Sequence, residues 1–144
     1  MSTFRRIEFV SGPAAAVFGL LALAYTIFGP LYHGCESSNT GPGGTTPPPT
    51  TCGSANMLQV GIAPGALVFF GLLVLILLGI ASGATLHSRS QNTMWRVLLW
   101  TATGVLLNFV YLSGLSIGPF LWPSALLALV AALSSLGVRD VAVA

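Results

Sequence analysis

Apolar residues fall in four long runs, at about residues 9–32, 57–86, 97–117 and 120–138, and polar residues gather between them. Each run reaches or approaches the ~20 residues that a helix needs to cross a hydrocarbon core of ~30 Å. Lipid offers the backbone no hydrogen bonds, so segments this apolar must be helices or the strands of a closed barrel. The strict apolar–polar alternation of a barrel strand is absent. The pattern therefore predicts an all-α membrane protein, a four-transmembrane-helix bundle in a single domain over residues 1–144.

Helix breakers sharpen the boundaries. Gly29-Pro30 closes the first run, and Pro13 is read as lying near its start, where a missing N–H costs little. Pro119 and Pro123 bracket the turn into the fourth. The second run is too long for a perpendicular crossing. With Pro64 near one end, it predicts a tilt, a kink at Pro64 or an extra turn standing above the membrane.

Composition agrees with a lipid solvent. Hydrophobic residues make up 54% of the chain and charged residues 6%, against about 25% charged in a soluble globule. All five basic residues are arginines: Arg5, Arg6, Arg89, Arg96 and Arg139. They sit at segment ends and form no basic face, which argues against nucleic acid as a partner. They flank the first run, the connection "HSRSQNTMWR" and the end of the fourth run. The positive-inside rule then predicts both termini in the cytoplasm and the loop 33–56 outside, extracellular or periplasmic. Trp95 and Trp122 fall near opposite interfaces, with Tyr32 beside the outer one. Arginine without lysine, with abundant Gly and Ala, suggests a GC-rich bacterial genome; the expected location is a bacterial inner membrane, crossed several times. The first run, with "MSTFRR" before it and Ala22-Leu23-Ala24 within it, has the outline of a signal peptide. It continues through Tyr25, Ile27, Phe28 and Leu31, so an uncleaved helix is expected.

The loop "CESSNTGPGGTTPPPTTC" is closed by the only two cysteines, Cys35 and Cys52. An outside compartment is oxidising, so these two are expected to form a disulfide. Closing a loop of this size stabilises by about 3 kcal/mol in the chain-entropy model. His33, Cys35, Glu36 and Cys52 carry ligand-type side chains, but their spacing matches no standard zinc pattern and no metal site is expected. The Thr- and Pro-rich tip has the composition of an O-glycosylated segment.

Within the runs the polar residues are few. No Asp, Glu, Lys or Arg lies at the middle of any of them, which counts against a proton-coupled pump or an ion relay. Glu8 is expected at the edge of helix one, paired locally with Arg5 or Arg6. Asn108 lies near the middle of the third run, and Gly104, Asn108, Tyr111 and Leu115 share one helical face. Its amide should point into the bundle or a protein interface, as a packing hydrogen bond or a ligand contact. The pairs Gly61/Gly65, Gly79/Gly83 and Gly114/Gly118 have the small-xxx-small spacing that allows close helix approach. Helix one carries Gly12, Ala15, Ala16, Gly19 and Ala22 along one side. No nucleophile–base pair is visible, so neither an enzyme nor a cofactor is expected. The function expected is a non-enzymatic accessory or assembly subunit that packs, in the lipid bilayer, as a homo-oligomer or within a larger membrane complex. The alternative is a small oligomeric transporter or channel, with Thr101, Thr103, Asn108, Tyr111 and Ser113 lining a path.

Overall fold

The computed structural model describes residues 3–37, 50–62, 64–113 and 118–137. Its elements, in chain order, are α1 (Thr3–Phe28), β1 (Tyr32–Ser37), β2 (Thr50–Ala55), the single turn α2 (Met57–Val60), α3 (Pro64–Ser90), α4 (Thr93–Ser113) and α5 (Gly118–Gly137). The fold is nearly all helical, and α1, α3, α4 and α5 are each long and apolar enough to cross a membrane. This is the four-helix architecture that the hydropathy pattern predicts.

The boundaries differ in an instructive way. Helix α1 begins at Thr3, α3 runs on to Ser90, and α4 begins at Thr93. Hydropathy marks only the hydrocarbon-sized part of a helix. The backbone ladder continues through Arg5, Arg6, His87, Arg89 and Arg96, because polar side chains do not interrupt i to i−4 bonding. Pro13 accordingly lies well inside α1 rather than near its start. The over-long second run resolves as an extra turn. Asn56 Oδ1 accepts from Gln59 N, and Gln59 Oε1 accepts from Asn56 N, both at 2.9 Å. This capping box closes α2, Gly61 ends it at φ 98°, and Pro64 opens α3, where its missing N–H is free of cost.

The two cysteine-bearing ends of the loop 33–56 form a β-hairpin. Strands β1 and β2 pair antiparallel, with Cys35 directly opposite Cys52 and the two joined by a disulfide. A two-stranded hairpin is marginal by itself; the covalent bond across its ladder supplies the restraint that a core would otherwise provide. The bonded sulfurs are unavailable as thiolate ligands, and among the described residues no group of three or more metal-ligating side chains occurs. The tip of the loop lies outside the described residues.

The four long helices form a closed ring. Helix α1 packs against α3 and α5, and α4 packs against α3 and α5, leaving α1–α4 and α3–α5 as diagonals. Consecutive long helices are antiparallel, so the start of α1, the end of α3, the start of α4 and the end of α5 share one end of the bundle. Arg5, Arg6, Arg89 and Arg96 all lie there.

The interior combines a column of leucine and isoleucine (Leu73, Leu77, Ile80, Leu99, Leu106, Leu121) with small residues from α1 and α5. Large apolar side chains cover the outside instead: Val68 is 74% exposed and Val10 64%. Such a surface suits hydrocarbon and is far larger than the apolar patches of soluble monomers. Small residues set the helix spacing. A Cβ on Gly12 would strike the Cβ of Ala84, and one on Gly19 would meet Leu77 and Ser124. Gly79 and Gly83 face α4, Gly83 lying 3.2 Å from the Leu99 backbone when given a Cβ. That pair therefore brings α3 and α4 together inside the bundle. The other two pairs behave differently. Gly61 sits in the turn before α3 and Gly65 faces open space, so they form no helical contact face. Gly118 opens α5 against the Val110 carbonyl, while Gly114 lies outside the described residues.

Candidate functional site

Two polar features stand out against this apolar frame, one inside the bundle and one on its flank. The inner one is at the arginine-bearing end. Glu8 of α1 is fully buried, and His87 of α3 is 5% exposed. His87 Nδ1 and Glu8 Oε1 are hydrogen-bonded at 2.7 Å. The second carboxylate oxygen, Oε2, has no hydrogen-bond partner among the described residues. The expected local pairing of Glu8 with Arg5 or Arg6 is therefore replaced by a bond across two helices, because Glu8 lies on the face of α1 that also carries Gly12, Ala15 and Gly19. That face is turned inward.

Two further bonds tie helices together. Ser124 Oγ of α5 donates to the Ala15 carbonyl of α1 at 2.7 Å, and Trp100 Nε1 of α4 donates to Ser135 Oγ of α5 at 3.3 Å. Bonds of this kind contribute about 0.6 kcal/mol each in membrane bundles. They register the helices more than they hold them. The sequence pattern pointed to Glu8 and Ala15 but to none of these pairings. The signal that was available is spacing: Glu8 and Gly12 are one turn apart, and so are Ala84 and His87. The small pair touches, so the polar pair one turn away must also meet.

The outer feature is on α4. Thr101, Gly104, Asn108 and Tyr111 form one exposed stripe; Tyr111 is 84% exposed. Of the two placements expected for Asn108, into the bundle or toward a protein interface, the single chain shows it on the outer face of the bundle. Leu99, Ala102, Leu106 and Val110 occupy the inward face of α4, and the stripe lies opposite them. Asn108 makes no hydrogen bond with any described residue, and a Cβ on Gly104 would meet nothing within 4 Å. Thr103 faces the interior and Ser113 Oγ bonds the Val110 carbonyl, so neither joins the stripe. Of the four spans α4 has the lowest mean hydropathy, 1.3 against 2.6 for α3. The polarity that lowers it is largely on the outside.

No known protein family, curated protein or solved structure matches this chain.

Proposed function

We propose that this chain is a small non-enzymatic membrane protein that serves as an accessory or assembly subunit, docking the outer stripe of α4 onto a helix of a partner membrane protein. The observation that carries this reading is the Asn108 amide on the bundle's apolar flank. An amide facing hydrocarbon has two donors and an acceptor with no water to satisfy them. A neighbouring helix that bonds it recovers that free energy. Gly104, one turn away, leaves room for the neighbour's backbone to approach, and Tyr111 supplies a broad contact surface with a polar tip. The filled column of Leu73, Leu77, Ile80, Leu99, Leu106 and Leu121 supports docking over transport through a single chain.

The test is purification of the tagged full chain from its own membrane in mild detergent. Wild type should bring down a larger complex at fixed stoichiometry. Asn108→Leu and Gly104→Leu should each reduce that yield about fivefold or more, the size expected from losing 1–2 kcal/mol at a helix contact, with thermal unfolding of the isolated chain unchanged. A stable homo-oligomer that moves solute in liposomes and is broken by the same substitutions would instead favour the transporter or channel. A monomer indifferent to both substitutions would remove the docking face altogether.

In the proposed orientation the arginine-bearing end is cytoplasmic and the disulfide hairpin is outside, in a bacterial inner membrane. The arginines at that end and the oxidised cysteine pair at the other support it. A reporter active only in the cytoplasm should give signal when fused after Ala144, and one active only outside should do so when inserted at Gly43. Signal from the reverse pairing would overturn the orientation.

A further inference from the structure

Beside the arginine-bearing end, α4 and α5 leave an open groove of about 600 Å³ lined by Thr93, Arg96, Val97, Trp100, Thr101 and Leu136. Its wall is mostly apolar, with one guanidinium and two hydroxyls. We propose that this groove binds an anionic phospholipid, the phosphate held by Arg96 and Thr93 and an acyl chain lying along Val97, Trp100 and Leu136. The inference rests on the reading of the four helices as a membrane bundle.

The groove is amphipathic in the order that a lipid requires. Thr93 and Arg96 belong to the first turn of α4, at the polar end of the bundle; Val97, Trp100 and Thr101 follow one turn deeper. The Trp100 indole N–H is committed to Ser135, so its ring contributes an apolar wall rather than a donor. Thr101 likewise spends its hydroxyl on the Val97 carbonyl. The polar groups left to meet a headgroup are the Arg96 guanidinium and the Thr93 hydroxyl.

Charge favours an anion there. Arg5, Arg6, Arg89 and Arg96 crowd this end of the bundle against a single carboxylate among the described residues of these helix ends, Glu8, which is sealed inside and bonded to His87. The first turn of α4 adds the positive end of a helix dipole. Asn92 caps it, taking Met94 N on its side chain at 3.0 Å and Trp95 N on its carbonyl at 3.2 Å. A guanidinium suits a phosphate geometrically as well as by charge. A zwitterionic headgroup offers the same phosphate but brings its own cation to a site already rich in arginine, so the groove discriminates by net charge.

The experiment is native mass spectrometry of the full chain released from a neutral detergent. Phosphatidylglycerol and phosphatidylcholine of identical acyl chains are offered together, with inorganic phosphate offered separately. Wild type should retain phosphatidylglycerol with about fivefold preference, the effect of roughly one basic residue at a membrane surface. Arg96→Gln and Thr93→Glu should each bring the preference close to one. Thr93 is exposed, so the second variant tests the groove even if Arg96 proves necessary for folding. Arg6→Gln removes the same charge from an exposed position outside the groove and should lower the preference far less than either groove variant. Equal loss in Arg6→Gln, retention in both groove variants, or binding of inorganic phosphate that displaces the lipid would each overturn the proposal. Insertion into phosphatidylcholine vesicles is scored separately. A chain that inserts but shows no preference refutes the groove alone, whereas a chain that does not insert refutes the membrane reading.

Discussion

His87→Ala will lower the unfolding stability of the purified protein by about 3 kcal/mol or more. The truncation leaves Glu8 fully buried with neither carboxylate oxygen bonded, since Oε2 already has no partner among the described residues. Removing one member of a buried pair typically costs about 3–5 kcal/mol, most of it the cost of the stranded partner. Removing both members should be far milder. Glu8→Met with His87→Leu replaces the pair by apolar side chains of similar length, and such exchanges are often neutral or stabilising. Thermal or denaturant unfolding in one detergent, run as a double-mutant cycle, separates the two effects. If the double variant is as unstable as His87→Ala, the pair is not isolated from its surroundings as the geometry implies. If His87→Ala costs less than about 1 kcal/mol, the buried bond is not formed in the protein.

Gly12→Ala will destabilise the bundle by about 2 kcal/mol although it improves helix propensity. Alanine in a helix interior is favoured over glycine by about 0.5–1 kcal/mol. Here the new Cβ is directed at the Cβ of Ala84, an atom fixed to the α3 backbone that cannot swing away. Relief requires the two helices to part, and overpacking of this kind costs about 1–3 kcal/mol. Steric cost should therefore outweigh propensity. Ala84→Gly in the same molecule returns the space, and the double variant should recover most of the loss. Gly71→Ala is the control: its Cβ would meet nothing within 4 Å, so that substitution should be neutral or slightly stabilising. Chemical unfolding of the four proteins reads the result. A Gly12→Ala variant at least as stable as wild type would place α1 farther from α3 than described.

What could be read from the chain follows from what lipid demands. The four helices announced themselves because twenty apolar residues have few other ways to meet a bilayer. The disulfide followed from two cysteines at the ends of one loop. Packing was only half legible, since a small residue permits close approach without saying which helix will approach. Gly83 meets Leu99, whereas Gly65, equally small and in the same helix, faces outward. Asn108 was found by its chemistry, but which of its two expected placements it takes was not legible, because hydropathy does not distinguish a bundle's inside from a flank. Inside and outside are both apolar in such a protein; residue size is the better guide. By that measure α4 was readable. Leu99, Ala102, Leu106 and Val110 repeat at three- and four-residue intervals on its inward face, leaving the stripe through Gly104 and Asn108 opposite. The pairing of Glu8 with His87 was missed because hydropathy scores a buried carboxylate as an edge, and their meeting depends on an antiparallel register that a single run does not contain.

The ring closes between its first and last long helices. The most extensive interface in the bundle is that of α1 with α5, and it includes the bond from Ser124 to the Ala15 carbonyl. During synthesis α1, α3 and α4 emerge with only neighbouring contacts available to them, and the tight turn through Gln91 favours early pairing of α3 with α4. Until α5 is made, the flank of α1 around Ala15 and Gly19 has half its cover. That flank of α1 gains its full cover only when α5 joins the bundle, so the closing contact of the ring is also its latest in chain order.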